Sequence, residues 1–163
     1  MVLLVHPAAR LLDDDLEVHA LGLLVREELQ GHGVIGFLGE PEGADERHFR
    51  AAARAEEIHA NNHAVVIKKL GGTPEAKIET PDVKTTKENL EAAIKGETYE
   101  RDTMYPEFLK QARAVRNTDA IQTFNYAKTA EAEHAKLYTA ALNNLDKSKG
   151  AKAKTFYVCG VYG

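Results

Sequence analysis

Residues 93–100 read AIKGETYE and residues 130–135 read AEAEHA, and the fold is decided by where their charges fall. Reading every third or fourth position gives one stripe of Leu90, Ile94, Glu97, Met104, Phe108 and Val115. A second runs Ile121, Phe124, Ala127, Glu131, His134, Tyr138, Ala141 and Leu145. Both have the spacing of an amphipathic helix. Glu97, Glu131 and His134 therefore take positions that a helix normally reserves for Leu or Ala, with Glu100 one turn after Glu97. Ionised groups are almost never buried unpaired. Something in the core must neutralise them, and a bound cation does so most simply.

The same pattern recurs upstream. Residues 45–70 predict a helix with Asp45 as N-cap and a stripe of Phe49, Ala52, Glu56, His59, His63, Val66 and Leu70, ended by Gly71 and Gly72. Residues 73–84, with Pro74 and Pro81, are too long for a tight turn and suit a crossover along a bundle. Thr85 to Glu88 reads as a capping box opening the next helix. Pro106 inside that helix removes a backbone hydrogen bond and should kink it. The short break at 116–118 predicts an antiparallel return. Residues 13–30 predict a first helix, with Asp13, Asp14 and Asp15 near its N-terminus, followed by a Gly-rich loop. Residues 147–154 read as a linker, and Phe156-Tyr157-Val158 as the start of a strand.

With 163 residues, 44% hydrophobic and 28% charged, the composition is that of one soluble globular domain. A net charge of −4 without a Lys/Arg block suggests neither nucleic acid nor an anionic membrane as partner. The apolar start, Met1 to Val5, is broken by His6 and Pro7, far short of a bilayer span. A single cysteine, Cys159, excludes an internal disulfide framework and fits a cytoplasmic location.

Glu56 with His59, Glu97 with Glu100, and Glu131 with His134 are thus three pairs at i, i+3 on three helices. Each pair shares a helix face and can converge on one ion. A lone Glu-x-x-His usually lies on a solvated face, but three such pairs on apolar stripes make that reading untenable. Carboxylates with two imidazoles suit iron or manganese better than thiolate-preferring metals. His63 is expected as a core or supporting histidine, Glu57 and Glu133 as solvated, and Tyr105 as either a core aromatic or a donor to a ligand carboxylate.

These motifs resemble the rubrerythrin family. Residues 93–100 with 104–108 (MYPEF), and residues 130–135, look like its third and fourth helices, and residues 55–60 (AEEIHA) are similar to its second. The resemblance covers about 47–145. It implies an all-α, ferritin-like four-helix bundle with a long crossover between helices 2 and 3, holding two irons and reducing hydrogen peroxide to water. It further implies Glu56 and Glu131 as bridging carboxylates, Glu97 as a terminal ligand and His134 as the imidazole on one iron. Glu100 and His59 would alternate on the other iron, with Tyr105 as a supporting phenol. Two departures stand out. Where the family carries a first-helix glutamate ligand, an ungapped count places Gly22-Leu23, leaving Glu27 or Glu17 as substitutes. Tyr162 stands where the second cysteine of a rubredoxin-like Cys-x-x-Cys would be, and a four-thiolate site cannot form with one cysteine.

The expected organisation is a divergent segment 1–46 supplying the first helix, di-iron helices over 47–146, and a linker with a rubredoxin-like remnant over 147–163. The expected activity is a di-iron peroxidase of oxidative-stress defence, a cytoplasmic homodimer, fed by an external electron donor such as a rubredoxin or a reductase. Manganese or a mixed iron–zinc pair is the alternative metal content. The competing activities are a ferroxidase or an O2-activating oxidase on the same ligands, and a non-catalytic metal-binding helical module.

Overall fold

The computed structural model describes residues 44–74, 84–147 and 155–163. The expected first helix over 13–30, with Glu17, Glu27 and Leu23, and most of the crossover lie outside the described residues. Within them the chain is all-α: α1 (Ala44–Lys69), α2 (Thr86–Tyr99), α3 (Tyr105–Ala114) and α4 (Thr118–Asn143), with a π-helical turn, Glu100–Met104, joining α2 to α3. α1 begins one residue earlier than expected, so position 45 lies within the helix and not at its N-cap.

The capping box is present. Thr85 Oγ1 accepts from the Glu88 N–H at 3.3 Å, and Glu88 Oε2 accepts from the Thr85 N–H at 3.1 Å. Two of the orphan donors at the start of α2 are thereby satisfied. At the other end of the hairpin Asn117 caps α4, its Oδ1 accepting from the Ala120 N–H at 3.0 Å. The turn before it places Arg116 at φ 60°, with the Asn117 N–H reaching back to the Ala112 carbonyl at 2.9 Å. This is the left-handed exit from a helix usually given to glycine. It lets α4 return antiparallel along both α2 and α3, while α1 packs on α4 from its other side.

The π turn corrects the apolar stripe read from the sequence. A wide turn inserts one residue into the helical repeat, so everything after it rotates about the axis. Met104, Tyr105, Leu109 and Ala112 are buried, Phe108 only packs against the edge of that core, and Val115 is 44% exposed. Residues 155–163 form no strand; they run as an irregular segment ending in a turn, Gly163 N–H to Cys159 carbonyl at 3.0 Å. A short extended run without a neighbouring strand has no ladder to join.

Two apolar clusters hold the bundle together. One gathers Ile67, Tyr105, Leu109 and Phe124, and the other Ala52, Leu90, Tyr138 and Ala141. On α4, Glu131 and His134 fall between Ala127 of the first cluster and Tyr138 of the second. The charged residues therefore form a polar layer between two apolar ones.

Candidate metal centre

α1 brings in Glu56 and His59, α2 Glu97, the π turn Glu100, and α4 Glu131 and His134. Glu131 is fully enclosed, His59, Glu100 and His134 are buried, and Glu56 and Glu97 are partly so. One ligand atom from each of Glu56, Glu97, Glu131 and His134 lies within 4.8 Å of the others.

The two imidazoles address the same two carboxylates. His59 Nδ1 is 3.1 Å from Glu56 Oε2 and 3.3 Å from Glu131 Oε1. His134 Nδ1 is 3.5 Å from Glu56 Oε1, 2.9 Å from Glu131 Oε2 and 3.4 Å from Glu97 Oε2. Glu56 and Glu131 thus each turn one oxygen to each histidine, which is how a carboxylate is presented when it spans two ions. Ligands about 2.1 Å from an octahedral ion lie about 3 Å from each other, the spacing seen here. Both oxygens of Glu131, Oε2 of Glu97 and Nδ1 of His134 are buried without a hydrogen bond. Buried polar atoms are rarely left so. Their convergence fits a metal: hard oxygens and imidazole nitrogen are the donor set of iron or manganese.

Without an ion the cluster holds protons. Burial works against charge on both histidines, but the Glu131 and Glu56 carboxylates outweigh it and raise His59 well above its ordinary value. Burial likewise opposes the charge of His134, and Glu131, Glu56 and Glu97 overcome it in the same direction. Burial would raise Glu56, yet the two imidazoles hold it well below the carboxylate range. Glu97, buried and facing Glu131 and Glu56, is pushed up to about 8.

Other residues fall as the sequence suggests. His63 is buried, its Nδ1 2.7 Å from Thr123 Oγ1, beside Phe124 in the apolar layer. Glu57 and Glu133 are exposed and pair with Arg54 and Lys136. Tyr105 is fully buried among His63, Phe108 and Phe124. The structure adds Tyr138, one turn beyond His134. Its hydroxyl is raised well above its ordinary value by burial and by the negative charge of Glu97, Glu56, Glu131 and Glu100. The signal was in the sequence, since Tyr138 shares the stripe of His134, but a tyrosine there passes for core.

The segment 155–163 returns to the site. His59 Nε2 lies 3.0 Å from the Tyr162 carbonyl and Asn62 Nδ2 donates to the Val161 carbonyl at 2.9 Å. The Phe156 ring packs tilted against His48, centroids 4.2 Å apart, and Tyr162 against Tyr126 at 5.7 Å. With α1 and α4 the segment encloses a cavity of about 290 Å³ that reaches His134 and Cys159. The Cys159 thiol is pulled below its ordinary value by the Val161 and Tyr162 N–H groups. Nothing in the spacing of these residues announces this docking.

Helices that bury paired carboxylates and imidazoles on facing stripes define the ferritin-like carboxylate class. Among the described residues none of the helices is long and apolar enough to cross a membrane. The rubrerythrin family model matches residues 42–142. The chain is 36% identical to rubrerythrin-2 of Clostridium acetobutylicum over 72% of its length, and 35% identical to nigerythrin of Nitratidesulfovibrio vulgaris, again over 72%. It spans 64% and 57% of those relatives. A solved structure of fully reduced, all-ferrous nigerythrin superposes with a TM-score of 0.77 at 26% identity, covering 98% of this chain and 79% of that one. The chain belongs to the rubrerythrin family.

Proposed function

We propose that this protein is a di-iron peroxidase that reduces hydrogen peroxide to water. The observation that carries this reading is the pair Glu56 and Glu131, each offering one oxygen to each of two imidazoles within a layer of buried polar atoms that lack hydrogen bonds. Glu56 and Glu131, with the residues around them, would hold two metal ions side by side; as ferrous ions these would supply the two electrons that, with two protons, convert one peroxide to two waters.

In this reading Glu56 and Glu131 would be shared between the two ions, Glu97 and His134 would hold one of them, and Glu100 and His59 would be alternative ligands for the other. Charge would favour Glu100 in the ferric state, because a carboxylate compensates added positive charge in a low-dielectric layer and a neutral imidazole does not. Donation from His59 Nε2–H to the Tyr162 carbonyl leaves Nδ1 as the lone pair that faces Glu56 and Glu131. Tyr138, its hydroxyl kept protonated by burial and by the neighbouring carboxylates, would support the layer, and Tyr105 would do so from the apolar cluster in which it is buried. Electrons come from a separate donor such as a rubredoxin or a reductase, and the protein acts as a cytoplasmic homodimer.

Rapid mixing of the reduced, iron-loaded protein with peroxide and with O2 tests this directly. A peroxidase is oxidised far faster by peroxide. Faster oxidation by O2 would instead make the protein a ferroxidase or an O2-activating oxidase, and no oxidation by either would make it a non-catalytic metal-binding module.

A further inference from the structure

The π turn between α2 and α3 covers Glu100–Met104, and its closing bond runs from the Tyr105 N–H to the Glu100 carbonyl, five residues back. Glu100, the first residue of the turn, is buried and stands one helical turn after Glu97. Pro106 follows immediately, within the first turn of α3. In a regular α-helix the residue at 106 would donate to the Asp102 carbonyl. Proline has no N–H, and its ring collides with that carbonyl. Widening the preceding turn moves the carbonyl aside and adds one residue to the repeat.

We propose that Pro106 is a positioning residue for Glu100: by forcing the wide turn it keeps Glu100 on the buried face that it shares with Glu97 while Tyr105 and Leu109, after the turn, still meet the core. On a regular helix the two faces would not align. The side chains that pack below the site, Tyr105, Leu109 and Ala112, are set one residue later than those above it, Leu90, Ile94 and Glu97. Regularising the turn while the lower core keeps its place would rotate Glu100 away from the layer. The proposal rests on the two-metal reading only through Glu100, the carboxylate expected to favour the ferric state.

The test uses the full chain with the substitution Pro106→Ala. A crystal structure of the metal-free variant should show a regular α-helix through 100–105 with Glu100 turned outward. In the iron-loaded variant the ferric–ferrous equilibrium should move at least tenfold toward ferrous, as in Glu100→Gln. The double variant should shift no further than either single one. Co(II) affinity, which in this reading would draw on His59 in place of Glu100, should stay within about twofold of the parent, showing that the rest of the site is intact. A wide turn that persists in the metal-free variant overturns the proposal by itself, whatever the metal content. So does an unchanged redox equilibrium, or shifts that add in the double variant. If the parent chain fails to hold two irons, the metal reading falls, and the crystal structure still decides the role of the proline.

Discussion

His59 is held at both ends: its Nδ1 faces Glu56 and Glu131, and its Nε2 donates to the backbone carbonyl of Tyr162 at 3.0 Å. A histidine that is to bind metal through one nitrogen is oriented by what the other nitrogen bonds. The partner is a carbonyl 103 residues away in sequence, so the geometry of the bundle's site depends on a segment outside the bundle.

Gly163 makes that contact possible. It sits at φ 81°, and a Cβ there would collide with His59 Nε2 and approach Ala55 Cβ at 3.1 Å. Gly163→Ala should therefore undock the segment, losing the bonds to the Tyr162 and Val161 carbonyls. At about 1 kcal/mol each, their loss raises the open population about thirtyfold. Cys159 should react correspondingly faster with a disulfide reagent while metal content is retained. Equal thiol reaction rates in parent and variant would show that the segment is not held this way.

The capping box gives a stability test with a pH signature. Thr85→Ala should cost about 1 kcal/mol in urea unfolding, the usual worth of an N-cap hydroxyl. Glu88 is held below its ordinary value by the Thr85 hydroxyl and N–H. A carboxylate with a lowered folded value stabilises above its unfolded value, and that contribution is lost as pH falls through the folded one. The gap between parent and variant should therefore be full at neutral pH and narrow under acid. A gap that does not narrow would remove Glu88 from the cap.

Arg116 pays for the left-handed turn between α3 and α4. A non-glycine residue there costs roughly 1 to 2 kcal/mol, part of which glycine gives back through its looser unfolded chain. Arg116→Gly should raise stability by about 1 kcal/mol and leave metal content unchanged. Calorimetry showing a lower midpoint would mean that the arginine side chain contributes more than its backbone costs.

The sequence made the site legible where helical periodicity applies. Glu56, His59, Glu97, Glu131 and His134 each fall on an apolar stripe, and the structure brings all five together. Periodicity fails where the repeat itself changes. The π turn adds a residue that no count at 3.6 anticipates, so Val115, on the stripe by that count, is 44% exposed, while Leu109, off it, is buried. Pro106 was visible as a disruption, but whether a helix kinks or widens depends on what the next turn must pack against. The docking of 155–163 rests on backbone carbonyls, which carry no residue-type signal.

Metal binding should be strongly linked to protons. In the metal-free protein His59 and His134 are held protonated by the surrounding carboxylates, and Glu97, at about 8, is mostly protonated at neutral pH. Each must give up its proton to act as a ligand, so binding releases protons and tightens as pH rises. The pH window differs from that of an ordinary carboxylate, which has already lost its proton at neutral pH. Glu97 is raised, so its proton is present below about 8 and already gone above it. Titrating Co(II) into the metal-free chain in buffers of different ionisation enthalpy measures the release. It should be large at pH 7 and fall as pH passes through about 8, with the Glu97 share disappearing first. Glu97→Gln should remove that share at pH 7 and leave the histidine share in place. Heats independent of the buffer would mean that the ions bind elsewhere, because no ion can enter this layer without displacing the protons that now balance it.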